Sequence, residues 1–179
     1  MSDNPSRLAD RAEALRLAFD RSFAEERRRD VTPMENLLAF SLGSEPYALR
    51  LSEITGLFVD RKITRLPDGS GGLLGFAGFR GAIVPVYDLH VLLGRTATKT
   101  PRWLAIASGA PVAFAFETFV GHLQVPREAI MSRDGEEQSQ RLVREVASAD
   151  GLVRPVVHLP SVIDTILKQR PGANTAEER

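Results

Sequence analysis

An internal repeat runs through this sequence. Residues 81–93 read GAIVPVYDLHVLL and residues 151–163 read GLVRPVVHLPSVI, so Gly, Pro, Val and Leu coincide at a constant offset of 70. A second pair lies at an offset of 65, where residues 46–56 (PYALRLSEITG) match residues 111–121 (PVAFAFETFVG). Both pairs keep the same order along the chain, which makes a chance match of common residues the weaker explanation. The repeat predicts two copies of one structural unit.

Short apolar runs fill residues 35–170, and Gly, Pro, Asp or Ser interrupts them every several residues. This pattern is typical of many short strands in a sandwich or barrel. Two short helical patterns, Asp88–Leu93 and Pro160–Leu167, lie between the runs. The predicted strands are 36–42, 46–51, 54–59, 75–79, 82–86, 102–107, 111–117, 119–124, 142–149 and 152–157.

Together, the repeat and the strands predict a mainly β fold. Each half contains five short strands and a short helix, which suggests two small five-stranded barrels packed together, the second starting about residue 100. A barrel of that size buries little surface alone, so we expect the two barrels to share a core.

The two ends of the chain differ from this body. Residues 1–34 predict an N-terminal amphipathic helix, in which Asn4 can cap and Pro5 suits the first helical position. Its apolar stripe consists of Leu8, Ala12, Leu15, Phe19 and Phe23. We expect this stripe either to pack on a barrel or to bind a partner. Residues 171–179 (PGANTAEER) have no apolar anchor and predict a disordered tail.

The charge balance excludes several classes of partner. The chain has 23 basic and 23 acidic residues, which argues against a mainly electrostatic partner such as nucleic acid or an anionic membrane. We also expect no direct membrane insertion. It has no Cys, and therefore neither a disulfide framework nor a thiol nucleophile. No apolar run reaches the ~18 residues of a spanning helix. The charged N-terminus shows no signal peptide, so we expect a cytoplasmic protein.

The sequence offers little for catalysis. The three histidines, His90, His122 and His158, stand alone without metal-ligand spacing, and we interpret them as capping or surface residues. We predict no enzymatic activity, no cofactor and no metal. The alternative is a small-ligand-binding or enzymatic β-barrel that uses the Gly-rich loop 68–72 (DGSGG). That loop lacks the Lys-Ser/Thr of a phosphate-binding P-loop, so a flexible connection is the ordinary interpretation.

Two segments resemble CheW-like chemotaxis coupling proteins. Residues 40–51 (FSLGSEPYALRL) are similar to the opening hairpin of the family, and residues 74–89 (LGFAGFRGAIVPVYDL) are similar to its central signature. The resemblance covers about residues 35–170. It implies two interlocked five-stranded SH3-like barrels, in agreement with the repeat. It also implies a non-catalytic adaptor that couples chemoreceptors, at their cytoplasmic tips, to the regulatory domain of a CheA-type histidine kinase within receptor arrays.

Most of the signature has a structural explanation. Gly81 permits a tight turn, Pro85 suits an edge or bulge because it cannot donate to a ladder, and Asp88 can cap the helix that follows. Only Arg80 lacks a structural role. Composition alone favours a solvated turn residue. The resemblance, however, implies a receptor-binding groove between the barrels near Arg80.

The resemblance therefore favours a partner-binding site at this turn. We predict that Arg80 and Gly81 contact a helical partner, with Phe79 and Ile54 as the apolar surroundings of the guanidinium.

Overall fold

The computed structural model describes residues 32–66, 71–96, 99–133 and 142–169, together with Glu13 and Arg16. The elements below belong to the unit Met34–Arg179. Of the predicted N-terminal helix 1–34, only Glu13, Arg16 and residues 32–34 are described, and Met34 already belongs to the first strand. The predicted tail lies outside the described residues. The strands are β1 (Met34–Leu42), β2 (Glu45–Arg50), β3 (Ile54–Val59), β4 (Thr64–Arg65), β5 (Leu73–Phe79), β6 (Ala82–Asp88), β7 (Trp103–Ala107), β8 (Ala113–Phe116), β9 (Thr118–Pro126), β10 (Ile130–Ser132), β11 (Val143–Ala149) and β12 (Leu152–Val157).

Helices are short and few among the described residues. They are α1 (Leu89–Leu92), α2 (Leu159–Gln169) and the 3-10 turns Leu51–Glu53 and Arg127–Ala129. All ten predicted strands are present, and both predicted helices start within a residue of their expected positions. Strands β4 and β10 were not predicted, because segments of two and three residues show no alternation to detect.

Two six-stranded sheets are formed by these strands. The first sheet has the order β10-β11-β12-β2-β1-β9, and the second has the order β3-β7-β8-β6-β5-β4. The expected mainly β fold of two small packed barrels is confirmed, with one more short strand in each than the predicted five.

The repeat and the sheets are related by an exchange of hairpins. The β1–β2 hairpin lies in the first sheet with β9 to β12, whereas the second sheet is the continuous stretch β3 to β8. The parallel pairs Val86↔Ala113 and Val156↔Ala48 occupy equivalent repeat positions in the two sheets. Equivalent strands of the repeat therefore occupy the same positions in the two sheets. The first sheet combines the first two strands of the chain with the last four.

The core joins the two sheets. Its largest cluster combines fully buried residues of both, among them Phe40 and Leu49 of the first and Phe114 and Phe116 of the second. The Phe40 and Phe116 rings lie 4.8 Å apart. Each sheet also has a smaller cluster of its own, around Val86 in one and Leu37 in the other. The predicted sharing of a core is confirmed by the mixed cluster.

Candidate functional site: an apolar groove between the two sheets

A groove of about 310 Å³ lies where the two sheets meet. Its walls come from β1 and β9 of the first sheet and from β3 and the preceding 3-10 turn of the second. The lining residues are Leu38, Leu51, Ile54, Thr55, Gly56, Leu57, Phe119, Gly121 and His122. Most of these side chains are apolar, so the groove suits an apolar or amphipathic occupant better than a charged one.

The two main walls of the groove are copies of each other. At the offset of 65, Ile54 of β3 corresponds to Phe119 of β9, and Gly56 corresponds to Gly121. Both strands carry a bulge at the same place, where β3 shifts register between Ile54 and Gly56 and β9 shifts between its pairings with Ala39 and Phe40. The repeat thus builds the site by bringing two equivalent bulged strands to one groove.

The β9 wall is aromatic and polar, whereas the β3 wall is aliphatic. Phe119 packs against Trp103, with ring centroids 5.1 Å apart. His122 Nε2 lies 3.0 Å from Asn36 Oδ1, which also accepts from the amide of Gln124. On the β3 wall the polar side chain is that of Thr55, whose hydroxyl donates to the Ile106 carbonyl oxygen at 3.5 Å.

Glu53 connects the β3 wall to the C-terminal helix. Its carboxylate accepts from the backbone N–H of Leu159 at 2.9 Å, at the first turn of α2. Burial raises the pKa of Glu53, partly offset by that hydrogen bond. Ser108 N–H donates to the Glu53 carbonyl oxygen at 2.9 Å. Sequence reasoning missed this residue, because a lone Glu between two apolar runs gives no sign of a partner 106 positions away.

The predicted partner-binding residues do not form one cluster. Arg80 is exposed at the β5–β6 turn, with φ 47°, and Gly81 follows with φ 84°. Phe79 is only 5% exposed and packs inside the second sheet. Ile54 instead packs against the shared core and lines the groove. The exposed apolar neighbour of Arg80 along the chain is Ile83, which is 78% exposed.

Two of the three structural roles predicted within the signature are present, the turn at Gly81 and the cap at Asp88. Asp88 Oδ1 accepts from His90 N–H at 2.9 Å, which confirms the cap of α1. The expectation that Pro85 lies at an edge or bulge was wrong, because β6 has β8 and β5 on its two sides and Pro85 pairs with Phe76 outside the register shift of β5. Proline is tolerated there because the parallel pairing with β8 begins only at Val86. At the equivalent position of α2, His158 Nδ1 accepts from Ser161 N–H at 3.3 Å.

His90 departs from its expected place at the surface. It is 2% exposed, and its ring nitrogens face two carboxylates at 3.4 Å, Nδ1 towards Asp88 and Nε2 towards Glu117. Glu117 also accepts from the backbone N–H groups of Gly43 and Lys99. The interpretation of His90 as a surface residue was wrong, because α1 is too short for its buried face to be read from spacing.

The Gly-rich loop 68–72 is described only at its end. The Gly72 carbonyl oxygen accepts from Asp88 N–H at 2.8 Å, and a Cβ on Gly72 would lie 3.3 Å from Val91. These contacts tie the loop end to α1. In the described part of the chain, no group of three or more His, Asp and Glu is placed to hold a metal ion. No helix among the described residues is long and apolar enough to cross a membrane.

Two small β-barrels with exchanged hairpins and an apolar groove between them define the class of domain to which this chain belongs. Residues 36–167 match the CheW-like domain family, and the chain belongs to that family. The domain marks the chain as a chemotaxis scaffold or adaptor, of a family whose members are non-catalytic.

One solved structure with the same fold is the "scaffolding protein TtCheW from Thermoanaerobacter tengcongensis". It has a TM-score of 0.64 and 20% identity, and the alignment covers 70% of this chain and 90% of that one. No curated protein sequence matches the chain.

Proposed function

We propose that this protein couples chemoreceptors to a CheA-type histidine kinase and has no catalytic activity of its own. The observation that carries the proposal is the apolar groove between β3 and β9, within a domain of the CheW-like family. We place the protein in the cytoplasm, associated with receptor arrays.

The groove is the proposed binding site for the cytoplasmic tip of a receptor. An amphipathic helix laid in a groove is anchored by a few large apolar side chains at helical spacing. Ile54 and Leu57 on one wall and Phe119 on the other supply the matching surface. His122 on the β9 wall, hydrogen-bonded to Asn36, can orient the occupant by accepting or donating a hydrogen bond.

Arg80 is the proposed second anchor of the receptor, at the tip of the β5–β6 hairpin. Its guanidinium is a planar donor fork on a rigid turn, and Ile83 supplies exposed apolar surface close by in the chain. Phe79 supports the hairpin from inside rather than touching the partner. Gly81 allows the turn. The kinase regulatory domain is proposed to bind the loops at the ends of the barrels.

Binding of a purified receptor tip and of the kinase regulatory domain tests the proposal. We expect the protein to bind both at once, and to make kinase autophosphorylation depend on the receptor. Ile54→Ala should weaken receptor binding about tenfold and kinase binding little, since truncation of a groove anchor costs roughly 1–2 kcal/mol.

The matched control is Val153→Ala, which removes an aliphatic side chain that is 57% exposed and does not line the groove. Equal loss in both variants would contradict the groove as the receptor site. Failure of the wild-type protein to bind either partner would overturn the proposed function.

A further inference from the structure

His90 lies buried between two carboxylates. Its Nδ1 is 3.4 Å from Asp88 Oδ1, and its Nε2 is 3.4 Å from Glu117 Oε1. All three residues are buried. Among the described residues, the two ring nitrogens have no other polar partner. Asp88, His90 and Glu117 therefore form a buried triad with the imidazole at its centre.

A neutral imidazole does not suit the centre of this triad. It has one N–H and one lone pair, and in either tautomer the lone pair would point at a carboxylate oxygen. A doubly protonated imidazolium instead presents an N–H to each carboxylate. Burial alone disfavours the charged ring, whereas each opposite charge within about 4–6 Å favours it, and His90 has two such neighbours. The contacts therefore favour the imidazolium.

The remaining titratable side chains around the triad are Arg95, Glu45, Tyr47 and Lys99. Arg95 N–H donates to the His90 carbonyl oxygen at 2.7 Å, but its guanidinium is half exposed and pairs with Glu45 at 3.0 Å. The Tyr47 hydroxyl donates to the same Glu45 carboxylate. Lys99 is exposed and reaches the triad through its backbone N–H. Within the described part of the chain, the charge on the ring thus depends on the two carboxylates of the triad.

The equivalent place in the first sheet has no such triad. By the offsets of 70 and 65, its three positions are occupied by His158, Pro160 and Ser52, none of which is acidic. His158 Nδ1 bonds within its own turn, to Ser161. Both copies of the repeat nevertheless form their sheet and the helix that follows. The repeated unit can therefore fold without a protonated ring at this place.

The triad lies at the junction of β8 and β9. Glu117 also accepts from Gly43 N–H in the β1–β2 turn, at 3.0 Å, and from a backbone N–H before β7, at 2.9 Å. Strand β9 begins at the next residue, and its Phe119 lines the groove and packs against Trp103. Loss of a proton from His90 places a lone pair against a carboxylate oxygen and so weakens the contacts that hold this junction.

We propose that His90 is a pH-sensitive switch at this junction, doubly protonated at neutral pH and repelled by a carboxylate once it loses a proton. The inference concerns the folded chain alone and does not rest on the proposed function. An unfolded histidine titrates at about pH 6.5, so above that pH the folded state binds more protons than the unfolded state. The stability that the triad gives is therefore present at lower pH and falls as pH rises.

The test measures the unfolding equilibrium constant of the full chain in urea between about pH 6 and about pH 9, above the ordinary titration of histidine. We expect wild type to unfold more readily as pH rises, by up to about tenfold per pH unit for one proton, and His90→Gln to lack this slope. The matched control is His122→Gln, which removes an exposed histidine and should keep the slope. Native Trp103 emission should change over the same range in wild type and in the control, but not in His90→Gln.

A measurement on wild type keeps the test decisive if His90→Gln does not fold. Nitrogen NMR of the histidine rings distinguishes an imidazolium from either neutral tautomer, and the variants His122→Gln and His158→Gln identify the His90 signals. We expect both His90 ring nitrogens to be protonated at neutral pH. A neutral His90 ring at that pH would overturn the inference, as would equal pH slopes in wild type and a folded His90→Gln variant. Either result would leave the proposed function in place.

Discussion

Arg80 and Asp150 show how one backbone position can carry opposite charges in the two sheets. Both precede a glycine, and both adopt positive φ, 47° and 52°, in hairpins equivalent by the repeat. Two successive residues with positive φ are typical of the tight hairpin turn that matches strand twist. Asp tolerates this conformation better than Arg does, so Arg80 is held there at some cost. A residue kept under strain at an exposed turn points to a role outside the fold.

The first prediction is that Arg80→Asp preserves the fold and weakens receptor binding. The variant reproduces the Asp150-Gly151 turn already present in the chain, so the melting temperature should not fall. Loss of an interface anchor of this kind costs about 2 kcal/mol, or roughly thirtyfold in affinity. Calorimetric titration with the receptor tip measures it, and circular dichroism checks the fold. Asp150→Arg is the control, and unchanged affinity in Arg80→Asp would make Arg80 a solvated turn residue.

The second prediction concerns Gly75 of β5, which pairs with Arg65 of the antiparallel strand β4. Its φ is +147°, and an added Cβ would meet the Thr64 carbonyl oxygen and lie 2.8 Å from its carbonyl carbon. Backbone cannot move aside as a side chain can, so Gly75→Ala should lower the free energy of unfolding by at least about 2 kcal/mol. Urea denaturation measures the loss. Gly78→Ala in the same strand is the control, since its Cβ meets nothing within 4 Å. Equal free energies of unfolding for the two variants would contradict the close contact between Gly75 and the Thr64 backbone.

The third prediction is a pH dependence at Glu53. Burial raises its pKa above the ordinary 4.5, so the folded chain holds the proton more tightly than the unfolded chain. Stability from this group is therefore lost as pH rises from about 4.5 through the folded pKa. Glu53→Gln should be more stable than wild type at pH 7, and the difference should vanish below pH 4.5. Denaturation at several pH values measures it, and a variant less stable at pH 7 would show that the ionised carboxylate is favoured.

Sequence reasoning succeeded for residues whose role is local. Asp88 could be assigned as a cap because the helix it caps begins at the next residue. It failed for Phe79 and His90, because the burial of a side chain depends on which other element packs against it. The sequence near an exposed turn does not show whether a side chain points into the core or towards solvent. The family resemblance implied a groove, but its lining residues could not be predicted from the sequence, because the two walls lie 65 positions apart along the chain.

At the scale of elements, Glu117 holds together the junction of β8 and β9. It is 6% exposed and accepts from Gly43 N–H at 3.0 Å, in the β1–β2 turn, and from Lys99 N–H at 2.9 Å, before β7. One carboxylate thus ties the turn of an exchanged hairpin to the second sheet, just before the strand that carries Phe119.

The fourth prediction is that Glu117→Ala destabilises the fold substantially. Two backbone N–H groups in part-buried hydrogen bonds lose their acceptor. A typical intramolecular hydrogen bond contributes about 0.5–1.5 kcal/mol, and more when the acceptor is charged, so we expect a loss of about 1–3 kcal/mol. Chemical denaturation measures it, with exposed Glu128→Ala as the control. A loss no larger than that of the control would show that the junction is held by other contacts.

At the scale of the whole molecule, the sequence repeat predicted two copies of a structural unit. It did not predict which strands of each copy belong to which sheet. The repeat places a hairpin first in each copy, whereas the sheets contain the hairpin of the other copy. Pairing across such distances leaves no local signal, since every strand would show the same alternation in either arrangement. The shared core could be expected because small barrels bury too little alone.

The fifth prediction follows from that shared core. Residues 54–117 contain all six strands of the second sheet, yet Leu89, Phe114 and Phe116 pack in a cluster that needs the first sheet. The isolated fragment should not fold, because a 64-residue piece without these contacts buries too little surface. Residues 34–169 should fold and serve as the control. Amide dispersion in NMR spectra measures the outcome, and a well-dispersed spectrum of the fragment would contradict the prediction.

The exchanged hairpin also sets an order of events on the ribosome. Ala48 is made early, yet its partner Val156 is added 108 positions later, and only then can β2 pair with β12. At synthesis rates of about 5–20 residues per second, this delay is roughly 5–20 s. Strands β3 to β8 are synthesised as one stretch and can pair in the meantime. The apolar β1–β2 hairpin lacks its partner strands β9 and β12 during this time. Completion of the fold therefore cannot precede the synthesis of β12, and until then the β1–β2 hairpin is the segment that a nascent-chain chaperone would meet.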